Sequence, residues 1–186
     1  AYNYFMLNDY QGGYIAGEHL VKQGFENIGM IKTIVNSHAS KERTRGFIDA
    51  LKNFRMNIDD ELFQSGDTTK HGGFTEEAGF EAIYKFDALG KFPDAIFCSN
   101  DTQAVGAIYA LSKLGMKVPD DIAIMGYDNI KLSKYLDLTT IDQKMHTIGV
   151  EATKRLAEII EDPNDELYQT TIDPVLVKRG STENKK

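Results

Sequence analysis

One cysteine, four histidines and a shortage of basic side chains set the first limits on this 186-residue chain. Cys98 alone cannot build an internal disulfide framework, and scattered histidines without a second thiol leave little for a structural zinc site. Lys and Arg total 21 against 28 Asp and Glu, a formal charge of −7, so the chain lacks the basic face needed to grip phosphate backbones. No apolar stretch approaches the roughly 18–20 residues that span a bilayer, and no basic segment with an apolar core opens the chain as a secretion signal would. A soluble protein of a reducing, cytoplasmic compartment without a membrane partner fits these absences. The first residue is Ala1 rather than Met, so a cut upstream is expected. Against these gaps, 41% hydrophobic and 26% charged residues are enough to build a real core in one or two lobes.

The apolar residues follow two alternating periods. Ala16 and Leu20 stand four apart before Gly24, and Asn27 to Ile31 then forms a strand-length apolar run. Phe47 with Leu51 and Phe80 with Tyr84 mark two further helices, over Lys41 to Phe54 and Glu76 to Phe86. Ala95 to Cys98 reads as a buried strand, followed by a helix through Ala104, Ile108 and Leu111 that Gly115 and Pro119 bring to an end. Ile122 to Met125 is another short strand, broken by the turn-forming Gly126-Tyr127-Asp128-Asn129. Ile148, Ala152, Leu156 and Ile159 mark a long amphipathic helix, Asp162 to Asp165 a loop, and Val175 to Val177 a last strand. Strands alternating with helices predict an α/β fold with parallel sheets covered on both faces.

In such sheets ligands bind beyond the carboxyl ends of the strands. That rule selects Lys32 and Thr33, then Ser99, Asn100 and Asp101, then Tyr127, Asp128 and Asn129, all able to hydrogen-bond a polyhydroxylated or heterocyclic molecule. Asn100 and Gln103 also match a helix-capping pattern, and Asp128 also suits a tight turn, so both readings stay open for each. Patterns for phosphoryl transfer, dinucleotide binding, zinc hydrolysis and a nucleophilic serine elbow are missing. Cys98, ending an apolar run, reads as a small buried hydrophobe, and no histidine has a ligand partner at helical spacing. Nothing in the residues points to an enzyme or to a cofactor.

Taken in order, several motifs carry a resemblance: Gln11-Gly12-Gly13-Tyr14-x-Ala16-Gly17-Glu18-His19-Leu20, Arg43-x-x-Gly46-Phe47, Pro93 to Cys98 with Asn100-Asp101, Gly115-x-x-Val118-Pro119-x-Asp121-Ile122, Gly126 to Asn129, Leu138-Thr139-Thr140-Ile141-x-Gln143 and Lys178-Arg179-x-Ser181. Together they resemble the effector-binding domain of the lactose/galactose repressor (LacI/GalR) family across nearly the whole chain. Gly29-Met30-Ile31-Lys32 additionally resembles arabinose repressors, whose sensor belongs to this family but whose DNA-binding domain is of the GntR type.

The resemblance implies a periplasmic-binding-protein-like type I fold, two Rossmann-like lobes joined by three crossovers, with the first lobe incomplete. It places residues 1–56 and 143–163 in a partial first lobe, 57–142 and 164–182 in the second, and 183–186 in a tail, which sets Arg43 and Asp128 on opposite lobes. It implies that Arg43 and Asp128 hold a small effector, with Asn100, Gln143 and Gln11 as further polar contacts; Lys32, a further candidate contact, departs with Thr33 from the proline or glycine loop usual in the family. Thr68 falls where many members place an aromatic lid, a departure that weakens the stacking expected of a sugar or purine site. The implied function is effector sensing in a bacterial transcriptional regulator: a monosaccharide drives lobe closure, a separate N-terminal domain binds DNA, and the protein is a homodimer. The alternatives are a periplasmic sugar-binding protein of a transporter and an α/β enzyme.

Overall fold

Apolar runs bounded by glycine and proline become strands, and the four-residue apolar repeats become helices. In the computed structural model, which describes residues 2–35, 37–162 and 166–184, β1 (Tyr4–Leu7) leads into α1 (Asp9–Lys22) and β2 (Ile28–Lys32) into α2 (His38–Asn53). β3 (Phe63–Ser65) precedes α3 (Glu76–Leu89), and β4 (Ala95–Cys98) precedes α4 (Asp101–Lys113). After β5 (Ala123–Met125) come the short α5 (Lys131–Tyr135), β6 (Thr140–Asp142), α6 (Met145–Glu161), β7 (Gln169–Ile172) and β8 (Val175–Val177). Four helices begin with the same device: Asn8, Ser37, Thr75 and Asn100 each accept a hydrogen bond from the backbone N–H three residues on. These caps satisfy donors that the first helical turn leaves orphaned.

The main sheet is parallel, in the order β3-β2-β4-β5, and Thr139 extends it with a single parallel bridge to Met125. β2, β4 and β5 are short and buried on both faces, as continuous apolar runs require, while β3 at the edge is half-buried. Successive side chains sort to opposite sides. Met30, Ala95, Phe97, Ala123 and Met125 pack with Ala16, Leu20, Phe47 and Leu51 of α1 and α2. Ile31, Ile96, Cys98 and Ile124 pack with Ala82, Ile83, Phe86, Ala104 and Leu111 of α3 and α4. Each helix pair is drawn into near backbone contact by glycine. A Cβ on Gly13 would stand 2.0 Å from the Arg43 carbonyl oxygen and one on Gly46 2.0 Å from that of Tyr10. On the other face, a Cβ on Gly79 or Gly106 would stand 1.9 Å from a carbonyl oxygen, that of Gln103 or Glu76 respectively.

The rest of the described chain forms a smaller unit: β1 pairs in parallel with β7, and α6 lies against β1. Three chain crossings connect it to the main lobe, at Asn8, at Gln143–Lys144 and at Asp173–Pro174, where β6 and β8 run antiparallel beside each other. Asn8 ties two of these crossings together, its N–H donating to the Ile172 carbonyl (3.1 Å) and its side-chain amide to Asp173 (2.7 Å).

The parallel α/β architecture is the expected one, but the expected division at residue 56 is corrected. β2 is hydrogen-bonded between β3 and β4, so α1, β2 and α2 belong to the same sheet as residues 57–142. The change of lobe comes at Asn8 instead. Within 164–182, β7 joins β1 while β8 joins β6, so that stretch is itself divided. A strand–helix alternation that runs on without interruption carries no mark of where one sheet ends. The predicted loop at 162–165 lies largely outside the described residues, as does half of the tail. Asn184, also in the tail, is anchored to the Gln23 carbonyl (2.9 Å).

Candidate functional site

The carboxyl edge of the main sheet gathers the ends of β2, β4 and β5, and α2 brings Arg43 over it. Arg43 is buried, and its planar fork of donors is almost fully committed. Nε donates to Asp9 at 2.7 Å, Nη1 donates to the Ser99 carbonyl at 2.9 Å, and the guanidinium carbon lies 3.7 Å from the centroid of the Tyr127 ring. Stacking on an aromatic face is a contact that guanidinium makes well. Asp128 stands beside it, with Oδ1 3.8 Å from Nη1. Nη2 finds no partner among the described residues, yet it is not a sealed unsatisfied atom. Nη2 therefore keeps some contact with solvent.

Asp128 is held by backbone rather than by chance packing. Its φ is +112°, Asn129 follows at +53°, and the Asp128 N–H donates to the Ile141 carbonyl (2.8 Å). Left-handed conformations in non-glycine residues cost on the order of 1–3 kcal/mol each and persist only where the surroundings over-determine them. Here Asp101 does so. Fully buried in the first turn of α4, it accepts from Thr140 and Ser133 hydroxyls (2.6 Å each) and from the Ile130 N–H (2.9 Å), while its own N–H donates to the Tyr127 carbonyl (2.7 Å). Gln143 donates its side-chain amide to Asp128 Oδ1. Burial pushes the Asp128 carboxyl up to about 6; the Arg43 charge works against that, and the charges of Asp101 and Asp9 reinforce it.

The structure thus brings Arg43, Asp128 and Gln143 together, and it places Arg43, on α2, and Asp128, in the turn after β5, on one lobe rather than on opposite lobes. Asn100 lies close by, next to Ser99, but its polar ends are spent on capping: Oδ1 accepts from the Gln103 N–H (2.9 Å) and Nδ2 donates to the Phe74 carbonyl (3.4 Å). Gln11 sits half-buried in the first turn of α1, two residues after Asp9. Thr68 shapes its own loop, with its N–H donating to Glu81 (2.9 Å) and its hydroxyl accepting from the Lys70 N–H (3.4 Å). The Lys32 side chain lines a groove of about 460 Å³ along α2 with Thr33, Ser40 and Thr44, whose lining does not include Arg43 or Asp128. Asp9 escaped the sequence-based prediction, and Asp101 was picked out as a strand-end polar group but not as the residue that holds the turn carrying Asp128. Each is the first residue of a helix, where an acid is ordinarily explained by the helix dipole alone.

The nucleophiles here are poorly placed for chemistry. Cys98 is fully buried and its thiol is pushed upward by burial, as is the Tyr127 phenol. Among the described residues no three His, Cys, Asp or Glu side chains gather as metal ligands. Among them, too, no helix is long and apolar enough to cross a membrane. A parallel α/β lobe, three crossings and a polar, non-nucleophilic cluster at the carboxyl edge define a small-molecule-binding domain. The profile of the periplasmic binding protein-like domain matches residues 18–182. Over 181 residues the chain is 40% identical to the HTH-type transcriptional repressor PurR of Actinobacillus pleuropneumoniae serotype 3, covering 95% of this chain and 52% of that protein. A LacI-family transcriptional regulator from Enterococcus faecium with bound ribose superposes with a TM-score of 0.87 at 27% identity, over 99% of this chain and 67% of that one. A sugar-binding LacI-family regulator from Escherichia coli complexed with phosphate gives 0.83 at 25%, over 94% and 61%. The chain belongs to the LacI/GalR family, as an effector-binding domain of the periplasmic-binding-protein-like type. It spans about half the length of the curated relatives it matches.

Proposed function

We propose that this domain senses a small, uncharged, hydroxyl- or N–H-bearing effector, a monosaccharide foremost, and that binding controls DNA affinity exerted by another domain of the same cytoplasmic regulator, without chemical turnover. One observation carries the reading: the Arg43 guanidinium, with Nη1 3.8 Å from Asp128 Oδ1 and no protein partner for Nη2 among the described residues, stands beside the Asp128 carboxylate at the carboxyl edge of a parallel sheet. A donor and an acceptor side by side match the alternating needs of vicinal hydroxyls. Because both groups belong to the main lobe, closure requires that the same ligand also touch the β1–β7–α6 unit, since only contacts that differ between open and closed forms shift the balance.

Calorimetry of the full-length regulator against pentoses, hexoses and purine bases is the test. Arg43→Ala and Asp128→Ala should each weaken binding by about 2–5 kcal/mol, roughly 30- to several-thousand-fold, with effector-free DNA affinity nearly unchanged. Wild-type affinity in both variants, or steady conversion of a bound ligand, overturns the reading. A two-fold dimer is part of the proposal. Its support is an aromatic group on α3 and α4, where the exposed Tyr84 and Tyr109 lie 4.8 Å and 5.9 Å, ring centre to ring centre, from the half-buried Phe80. Sedimentation of the full regulator should give a dimer.

A further inference from the structure

We propose that Asp9 sets the ligand class of this site: by pairing with Arg43 it makes the guanidinium a directional donor instead of a free cation, so that uncharged ligands are accepted and phosphorylated ones refused. The inference rests on the reading that Arg43 and Asp128 face the ligand. Asp9 is not needed as a helix cap, because Asn8 already supplies that contact to the Gln11 N–H (3.0 Å). Its carboxylate turns inward instead, 2.7 Å from Arg43 Nε and 3.4 Å from the Tyr127 hydroxyl, and both members of the ion pair are over nine-tenths buried. A buried pair of this kind is a weak stabilising device, since desolvation offsets most of the attraction. Its clear consequence is electrostatic.

The charges facing the ligand position can be counted element by element. α1 contributes Asp9, α2 Arg43, α4 Asp101 and the turn after β5 Asp128; the Arg179 charge acts on Asp101, which leaves Asp9 and Asp128 as two carboxylates to the one guanidinium of Arg43. Asp101 is sheathed by three donors, but its charge still reaches Asp128. Burial raises the Asp128 carboxyl to near 6, and the neighbouring cation, already shared with a second acid, does not bring it back down. A phosphate entering here would meet a neutralised Arg43 and an unneutralised Asp128. A sugar hydroxyl would meet a donor and an acceptor.

Asp9→Asn keeps an oxygen acceptor for Nε and removes the charge; Asp9→Ser is a second neutral variant. Inorganic phosphate, which needs no knowledge of the effector, is the anion probe, with ribose 5-phosphate beside it. At low ionic strength, phosphate should bind Asp9→Asn at least about tenfold more tightly than the wild type. In the same variant Asp128, followed by carboxyl carbon resonances, should titrate at a lower pH. Combining Asp9→Asn with Arg43→Ala should abolish the gain. Equal phosphate affinity in wild type and folded neutral variants overturns the proposal, as does an unshifted Asp128 titration. Loss of folding in both neutral variants also overturns it, for Asp9 would then serve the fold. A wild type that binds no sugar or base overturns the proposed function instead, while the phosphate comparison keeps its meaning.

Discussion

Two regions of the molecule share one sequence pattern and meet different ends. In the main lobe, α1 to α4 bury an apolar or small-residue face completely: Ala16, Leu20, Phe47, Phe86 and Leu111 are all at most 1% exposed. α6 is the most strongly amphipathic of the described helices, yet Arg155 is the one residue it buries, and Leu156 and Ile160 stay 59% and 71% exposed. β1 and β7 beside it are only half covered. An apolar stripe at helical spacing therefore specifies a helix with a face to hide. Whether that face is hidden depends on what other segments deliver, and among the described residues α6 is covered only in part, by β1.

The contrast predicts very unequal responses to substitution. Phe47 lies between Phe63 and Phe97, with ring centres 6.3 and 5.0 Å away, and Phe47→Ala should cost about 3–5 kcal/mol in urea unfolding. Gly13→Ala puts a methyl group into the Arg43 carbonyl and should cost about 1–3 kcal/mol by the same measurement, with the larger figure if the helices cannot part. A stability change below about 0.5 kcal/mol would mean the two helices do separate.

Acidification tests the main lobe from within. Burial lowers the His19 pKa from its ordinary 6.5 to about 4, so the stability of its neutral form is present above 6.5 and lost as pH falls toward 4. Asp128 works in the opposite sense: with a folded pKa near 6, it is penalised as an anion at pH 7 and relieved as pH falls below 6. Each effect amounts to about 1–2 kcal/mol between roughly pH 7 and 5, so together they should nearly cancel in the wild type. His19→Gln removes the loss and leaves the relief, and its stability relative to wild type should improve by about 2 kcal/mol over that interval. Parallel pH profiles for the two proteins would contradict the assignment. The smallest effect belongs to α6, where Leu156→Ala should change the stability of this chain by less than about 0.5 kcal/mol.

How far the sequence could be read depended on the range of the forces involved. α1 to α4, α6 and the strands β2, β4, β5 and β8 were legible, because periodicity and capping are local; the five-residue α5 was not. β1, β3, β6 and β7 were not: they exist as strands only through partners far along the chain, as Tyr4 with Gln169 shows. The lobe boundary failed for the same reason. At the site, Arg43 and Asp128 came from family resemblance, since an isolated arginine beside Glu42 reads as a solvated charge. Asp9 carried no signal beyond its place in a first helical turn, and Asp101, though marked by its place after a strand, gave no sign of its role, because their partners lie 34 and 39 residues away.

The touching backbones of α1 and α2 give the site a mechanical property. With Gly13 and Gly46 each set against a carbonyl, the two helices have no compressible layer of side chains between them, and they must travel as one rigid plank. One end of that plank is Asp9, the first residue beyond a chain crossing; its other helix carries Arg43. Any pull on the guanidinium is thus delivered without slack, through the Asp9 carboxylate, to the joint between the two units.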